Sequence, residues 1–387
     1  MRAIAWALTI SLCGCGFDAG VPLMTEGGPD PIDLDDLIEG PDVLIDCDAS
    51  FDSGTLAFGN WCGQLRPEPV VLTQPDGSEV VALPLGEFRI ETGGRLRLTG
   101  TRPIALAVFG NATIAGEIDV SANGLFAGPG GHGMRCGSGA GGAGGDGDTG
   151  GGGGGGGFGT TAAAGGAGNS EDGVVGGVFG NAGTAVGVPS LTPFQGGCPG
   201  GKGGADTGTA GRDGAEGGGG GGGIWLHATG TVSVTGRILA GGGGGRGGTC
   251  QDGGGGGGSG GAILLEGDTV DLMDAQLAAN GGGGGEGGAN QNECDLAKDP
   301  GDDGGTAGAA EGGSGRSGTG GDGGDGGVSV QPPTSGSAGS SGSAGGGGGG
   351  GGGGAVGRIR VNAATSCSFT NAVMSPVPSG NGATGCP

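Results

Sequence analysis

The residues of this chain with the chemistry to bind or catalyse are few, and most of them stand among glycines. Asp146 and Asp148, Asp302 and Asp303, and Asp322 and Asp325 are close carboxylate pairs in glycine-rich text. There, side-chain oxygens and bare backbone carbonyls could together surround a calcium ion. A calcium-binding nonapeptide repeat would also need an apolar residue two positions after each aspartate and a strict nine-residue period. Asp148 follows Asp146 instead, and the spacing is irregular. The six aspartates are therefore weak calcium candidates whose plainer role is solvating charge. No other cofactor is implied.

Catalytic groups are equally sparse. The only histidines are His132 and His227, and no C-x-x-C occurs, so a zinc site is not expected. Gly196 to Gly203 imitates a phosphate-binding loop with Lys202 in place, but Gly203 stands where Ser or Thr should be. Gly257 to Gly261 spells G-x-S-x-G without the strand–helix turn of a nucleophile elbow. Polysaccharide cleavage would need clustered carboxylates on one face of the fold. Trp225, His227, Ser233 and Arg237, with Leu264, Glu266 and Asp271, are the outward-facing positions of two successive repeats, and they offer no carboxylate pair. His227 reads as an exposed strand residue. No catalysis is expected, and catalytic and cofactor-binding residues are assigned to none.

The elements that must position these groups repeat along the chain. Ile224 to Ala240 reads I-W-L-H-A-T-G-T-V-S-V-T-G-R-I-L-A, three short alternating runs parted by Gly230 and Gly236. Alternation with a period of two marks half-buried strands. Without a gap, Ile224, Leu226, Val232, Val234 and Ile238 fall on Ile104, Leu106, Ala112, Ile114 and Ile118, and again on Ile359, Val361, Cys367, Phe369 and Val373. Phe88, Ile90, Leu96 and Leu98 give a further copy. One containing Ile263, Leu265, Val270, Leu272 and Leu277 fits with one residue lost at a corner and regained at the next. Such repetition predicts an all-β, right-handed parallel β-helix (β-solenoid) of about five coils. Its body spans 70–374, with glycine-rich inserts 124–222, 241–261 and 281–356 leaving one edge.

Glycine supplies 118 of 387 residues. Collagen would require it at every third position with abundant proline, whereas here it runs in blocks with 19 prolines. The inserts hold almost no apolar side chains, so the hydrophobic effect cannot order them. Two states remain open, a mobile one and a packing of polyproline-II-like strands hydrogen-bonded side by side. Cysteines inside the inserts favour partial order.

Formal charge is −24, from 39 acidic and 15 basic residues. That balance opposes nucleic acid as a partner. Arg2 precedes a short apolar stretch, Ala3 to Leu12, of signal-peptide rather than membrane-spanning length. Eight cysteines lie beyond Cys13 and Cys15: Cys47, Cys62, Cys136, Cys198, Cys250, Cys294, Cys367 and Cys386. An even number in an exported chain reads as disulfides, with nearest-neighbour pairing the simplest connectivity. Residues 16–45 read as an acidic tether, 46–69 as an N-terminal cap containing Trp61, and 375–387 as a C-terminal tail.

Leu12-Cys13-Gly14-Cys15 resembles the lipobox of bacterial lipoproteins. The resemblance implies that 1–15 is a lipoprotein signal peptide, that Cys15 is lipidated, and that Gly16 directs sorting to the outer membrane. With the repeat, it makes the mature chain similar to glycine-rich exported lipoproteins of myxobacteria-like genomes, PE-PGRS-like in composition. What this implies is a lipid-anchored cell-surface structural or adhesion-type protein, held at the membrane by its lipid and contacting extracellular matrix or glycan. A carbohydrate-active β-helix enzyme, or a calcium- or lattice-binding surface module, is the alternative.

Overall fold

A computed structural model describes residues 34, 36–131, 136–169, 175–208, 213–289, 294, 298–306, 308–314, 318–342 and 345–379. Cys13, Cys15, Cys386 and His132 lie outside the described residues. Strands gather into a ten-stranded and a seven-stranded sheet with a two-stranded ribbon apart, and the 3-10 turn Gly137–Gly139 is the one helical element among the described residues.

Most repeated positions stack in register, but Phe88 and Ile90 pair with Ala112 and Ile114 of the second run instead of the first, and Met374 rather than Val373 follows Leu277. Ile224 pairs with Ile104 on one side and Ile263 on the other, and Ile263 pairs onward with Ile359. The second run of each repeat stacks likewise, Ala112 on Val232 and Val232 on Val270. Both runs belong to the larger sheet, because the strand Ala262–Met273 passes from one ladder to the other with a register shift between Gly267 and Thr269. The third run forms the smaller sheet, where Ile118, Ile238 and Leu277 follow one another.

The expected right-handed parallel β-helix of about five coils is not what forms. Both sheets mix parallel and antiparallel pairing. Val70–Thr73 pairs antiparallel with Glu79–Leu85, and Asp48–Asp52 with Ala57–Phe58. Local sequence explains the first. Gly77 N–H donates to Gln74 O at 2.9 Å, closing a tight turn over Pro75 and Asp76, and proline second with glycine fourth suits a type I turn. Alternation reports which face of a strand is buried; it is silent on strand direction and on how a sheet curves. The expected tether, 16–45, ends earlier, since Val43–Ile45 is a strand paired with Phe88–Ile90.

The inserts correct the picture further. They do not leave an edge as branches but form a second ordered body. Glycines 150–157 show its rule. Gly150, Gly153 and Gly156 donate to Gln251, Gly254 and Gly257; Gly151, Gly154 and Gly157 donate to Gly145, Gly142 and Gly139; Gly152 and Gly155 donate to Gly166 and Ala163. Donors thus rotate through three directions with a period of three, and each partner lies on another segment. Three residues per turn without internal hydrogen bonds is polyproline-II geometry. Segment 253–258 lies deeper. It donates to 201–204, 349–352 and 243–246 and accepts from 153–156, 215–218 and 282–285. A Cβ on Gly256 would collide with the carbonyl oxygen of Gly154, and one on Gly152 with that of Gly350. Only glycine lets backbones approach this closely.

Two apolar cores result. The main one lies between the sheets and contains Ile45, Phe51, Ile90, Leu96, Ile114, Leu226 and Ile238. A smaller one sits on the outer face of the larger sheet, where Trp225, Leu264 and Ala105 meet Phe158, Leu191 and Phe194 from the glycine body. Gln74 fastens the same junction. Its Nε2 donates to Phe194 O at 2.8 Å, and Phe194 N–H donates to its Oε1 at 2.6 Å.

Candidate functional site

The outward positions of the larger sheet form a closed polar cluster. Register places His227 beside Glu266 and Glu266 beside Asn362. Trp225 Nε1 donates to Glu266 Oε2 at 2.8 Å, and Asn362 Nδ2 donates to Oε1 at 2.6 Å. His227 Nδ1 lies 3.9 Å from Glu266 Oε2, beyond a good hydrogen bond. Trp225 and Glu266 are buried, and the His227 side chain is only 15% exposed. The expectation of exposed strand residues is corrected: the insert 124–222 folds back over this face, with Phe194 6.3 Å from Trp225 between ring centroids. Glu266 therefore has each oxygen engaged and serves as a hub joining strands.

The aspartate pairs are spread over the glycine body as acceptors for backbone N–H groups. Asp146 Oδ1 accepts from Ala205 at 2.8 Å and Asp325 Oδ1 from Gly312 at 2.9 Å. Asp303 Oδ1 takes both Gly124 and Gly244, at 2.9 and 2.8 Å. Asp148 is also engaged, while Asp302 and Asp322 supply main-chain oxygens to Gly283 and Ser337. Among the described residues the one close group of potential ligands is Asp46, Cys47 and Cys62, and its sulfurs are already joined. Cys47–Cys62, Cys136–Cys198 and Cys250–Cys294 are disulfides. Cys367 is also disulfide-bonded, its partner lying outside the described residues.

The smaller sheet carries a charged ladder on its outer face. Asp48, Arg95, Glu117, Arg237 and Gln276 occupy successive rungs. Glu117 accepts from Arg95 Nε at 2.9 Å and Arg237 Nη2 at 2.7 Å. Asp119 receives Arg97 Nη1 at 2.7 Å, Arg95, and the N–H of Ser121 at 2.9 Å. Burial alone would push Asp119 up, but the Arg97 charge, Ser121 and Arg95 outweigh it and hold the carboxyl below its ordinary range.

Beside this ladder stands Phe126, 81% exposed, at the closing end of a tight loop. Main-chain bonds between Asn123 and Phe126, at 2.8 and 3.0 Å, close the loop, and Gly124 turns it with φ +53°. Asp303 ties it to the glycine body through Gly124. The ring borders two shallow grooves of about 640 and 410 Å3. Asp52, Arg97, Thr99 and Thr101 line the first; Arg246, Asp302 and Asp303 line the second. Partial burial pushes Asp52 up, yet the Thr55 and Gly54 N–H groups and the Thr55 and Thr99 hydroxyls hold it below the usual carboxylate range. Sequence reading passed over Phe126. Its only signal is a large apolar residue just beyond the third run of a repeat, where a polar turn is the rule.

Fold and surface together define a class, a protein of mixed β-sheets carrying a hydrogen-bonded polyproline-II body of glycine. No family model, curated protein or solved structure matches the chain. Among the described residues, no helix is long and apolar enough to cross a membrane.

Proposed function

We propose that this is a lipid-anchored surface protein with a structural and adhesive role and no catalysis. The observation that carries the proposal is the saturated hydrogen bonding of the glycine body, exemplified by the six neighbours of segment 253–258. A cross-linked network of that kind suits a stiff, load-bearing exterior, and disulfides within it suit an oxidising compartment. The acidic surface keeps such a body soluble. The lipobox at Leu12 to Cys15 supplies the anchor in this reading.

The test is expression of the full chain in a Gram-negative cell with labelled palmitate, beside Cys15→Ser. Beads bearing the purified protein are then passed over extracellular matrix. Label on the native chain, its loss in Cys15→Ser, and bead retention are expected. An unlabelled chain refutes the anchor, beads that fail to adhere refute the adhesive role, and beads that degrade the matrix refute the absence of catalysis.

A further inference from the structure

We infer that Phe126 and the two grooves beside it form a binding site for a neutral polysaccharide chain. The inference deepens the adhesive reading above by naming the ligand of one surface, and it stands or falls on separate measurements.

An aromatic ring left 81% exposed loses the hydrophobic stabilisation of burial. Here the main chain that carries it is held in place. The loop is closed by paired main-chain bonds, and Gly124 is clamped by Asp303. An exposed ring on a fixed main chain, flanked by grooves that carry a few carboxylate, guanidinium and threonine groups among apolar surface, is the arrangement that receives a ligand with one apolar and one hydroxylated aspect. A pyranose has both. Its axial C–H groups meet the electron-rich ring face, and its hydroxyls reach carboxylate, guanidinium and threonine groups at the sides.

Position supports a chain rather than a single sugar, because Phe126 borders both grooves and forms the ridge between them. A linear polymer crossing the ridge would set one residue on the ring and its neighbours in the two grooves. Charge selects neutrality. Asp52, Asp302 and Asp303 outnumber Arg97 and Arg246 along the grooves and the chain carries −24 overall, so a polyanionic glycan would meet net repulsion. Asp52 Oδ1 is taken by Gly54 and Thr55, so Oδ2, which accepts from Thr99 Oγ1 at 3.3 Å, is its acceptor for a sugar hydroxyl.

The measurement is native affinity electrophoresis of the full exported chain in gels containing a mixed-linkage β-glucan, a xylan, a galactomannan or alginate, beside Phe126→Ala and Arg246→Ala. At least one neutral polymer is expected to retard the native chain while alginate does not. Phe126→Ala should weaken that retardation by about tenfold or more, as for a central aromatic contact, with the melting temperature unchanged. Arg246→Ala should weaken it less. Absence of retardation by every neutral polymer, or equal retardation of Phe126→Ala, overturns the inference. Equal retardation of Phe126→Ala, with bead adhesion by the native chain intact, would sink this site and leave the adhesive function standing. Preference for alginate would overturn the assignment to neutral chains.

Discussion

The sheets and the glycine body solve the same problem with opposite materials. In the sheets, side chains alternate with a period of two, and Leu96, Ile118, Ile238 and Leu277 stack on one another into a common core. Each strand pairs along two edges only, because its side chains occupy the two faces. In the glycine body the side chains are gone, the period becomes three, and segment 253–258 bonds to neighbours all around its axis. Removing side chains thus exchanges hydrophobic burial for a network of backbone hydrogen bonds in three dimensions. Each such bond contributes about 0.5–1.5 kcal/mol net, while ordering a residue costs about 1–2 kcal/mol, with glycine at the costly end. On those terms the network stands close to balance. Disulfides and the docked aromatics Phe158 and Phe194 add to its stability.

The contrast can be broken at its joints. Trp225→Ala removes the largest buried side chain where the two bodies meet, and a loss of about 3–5 kcal/mol is expected in denaturant unfolding. Replacing Cys136 and Cys198 together by serine frees the glycine body while leaving the main core untouched. About 2–4 kcal/mol should disappear, and proteolysis should begin within 124–222 rather than in the strands. Gly256→Ala then asks whether backbone contact alone is decisive. Its Cβ meets the Gly154 carbonyl, so about 1–3 kcal/mol should be lost. Gly305→Ala, with open space around it, should change stability by no more than about 0.5 kcal/mol.

Acid sharpens the comparison with a smaller effect. Asp119 on the smaller sheet is depressed by its arginine partners, so its contribution is present above the ordinary aspartate range and is lost as pH falls through the lower folded value. Glu286, buried in the glycine body, is shifted the other way. Burial raises it, against the Asp299 N–H and Lys298 that lower it. Its ionisation therefore opposes folding as pH rises past the ordinary glutamate range. Melting curves between about pH 3 and 6 should show Asp119→Asn flattening the loss at the acid end. Glu286→Gln should raise stability at the upper end and change little at the lower.

Much of the sheet was legible because apolar alternation records a buried face directly. Ile104, Ile224, Ile263 and Ile359 could be placed in one register from spacing alone, and the structure pairs them so. Direction and curvature were not legible. Nothing in Val70–Leu85 announces an antiparallel hairpin except the Pro75-Asp76-Gly77 turn, and nothing in Ala262–Met273 announces that two short runs fuse into one strand. The order of the glycine body was hidden for a different reason. Its period of three lives in the N–H directions, and a run of identical residues carries no period in its letters. Trp225 was misplaced as exposed because the residues covering it, Phe158, Leu191 and Phe194, are isolated apolar letters in a long polar insert. Phe126 was missed for the same scarcity of signal.

Hydrogen exchange at individual glycine amides tests the central claim most directly. Amides 151–157 and 253–258 should exchange as slowly as those of the strand Gly223–Ala228, since opening them requires parting several segments at once. Exchange of those glycines at the rate of an unstructured peptide, with the strand still protected, would contradict the account.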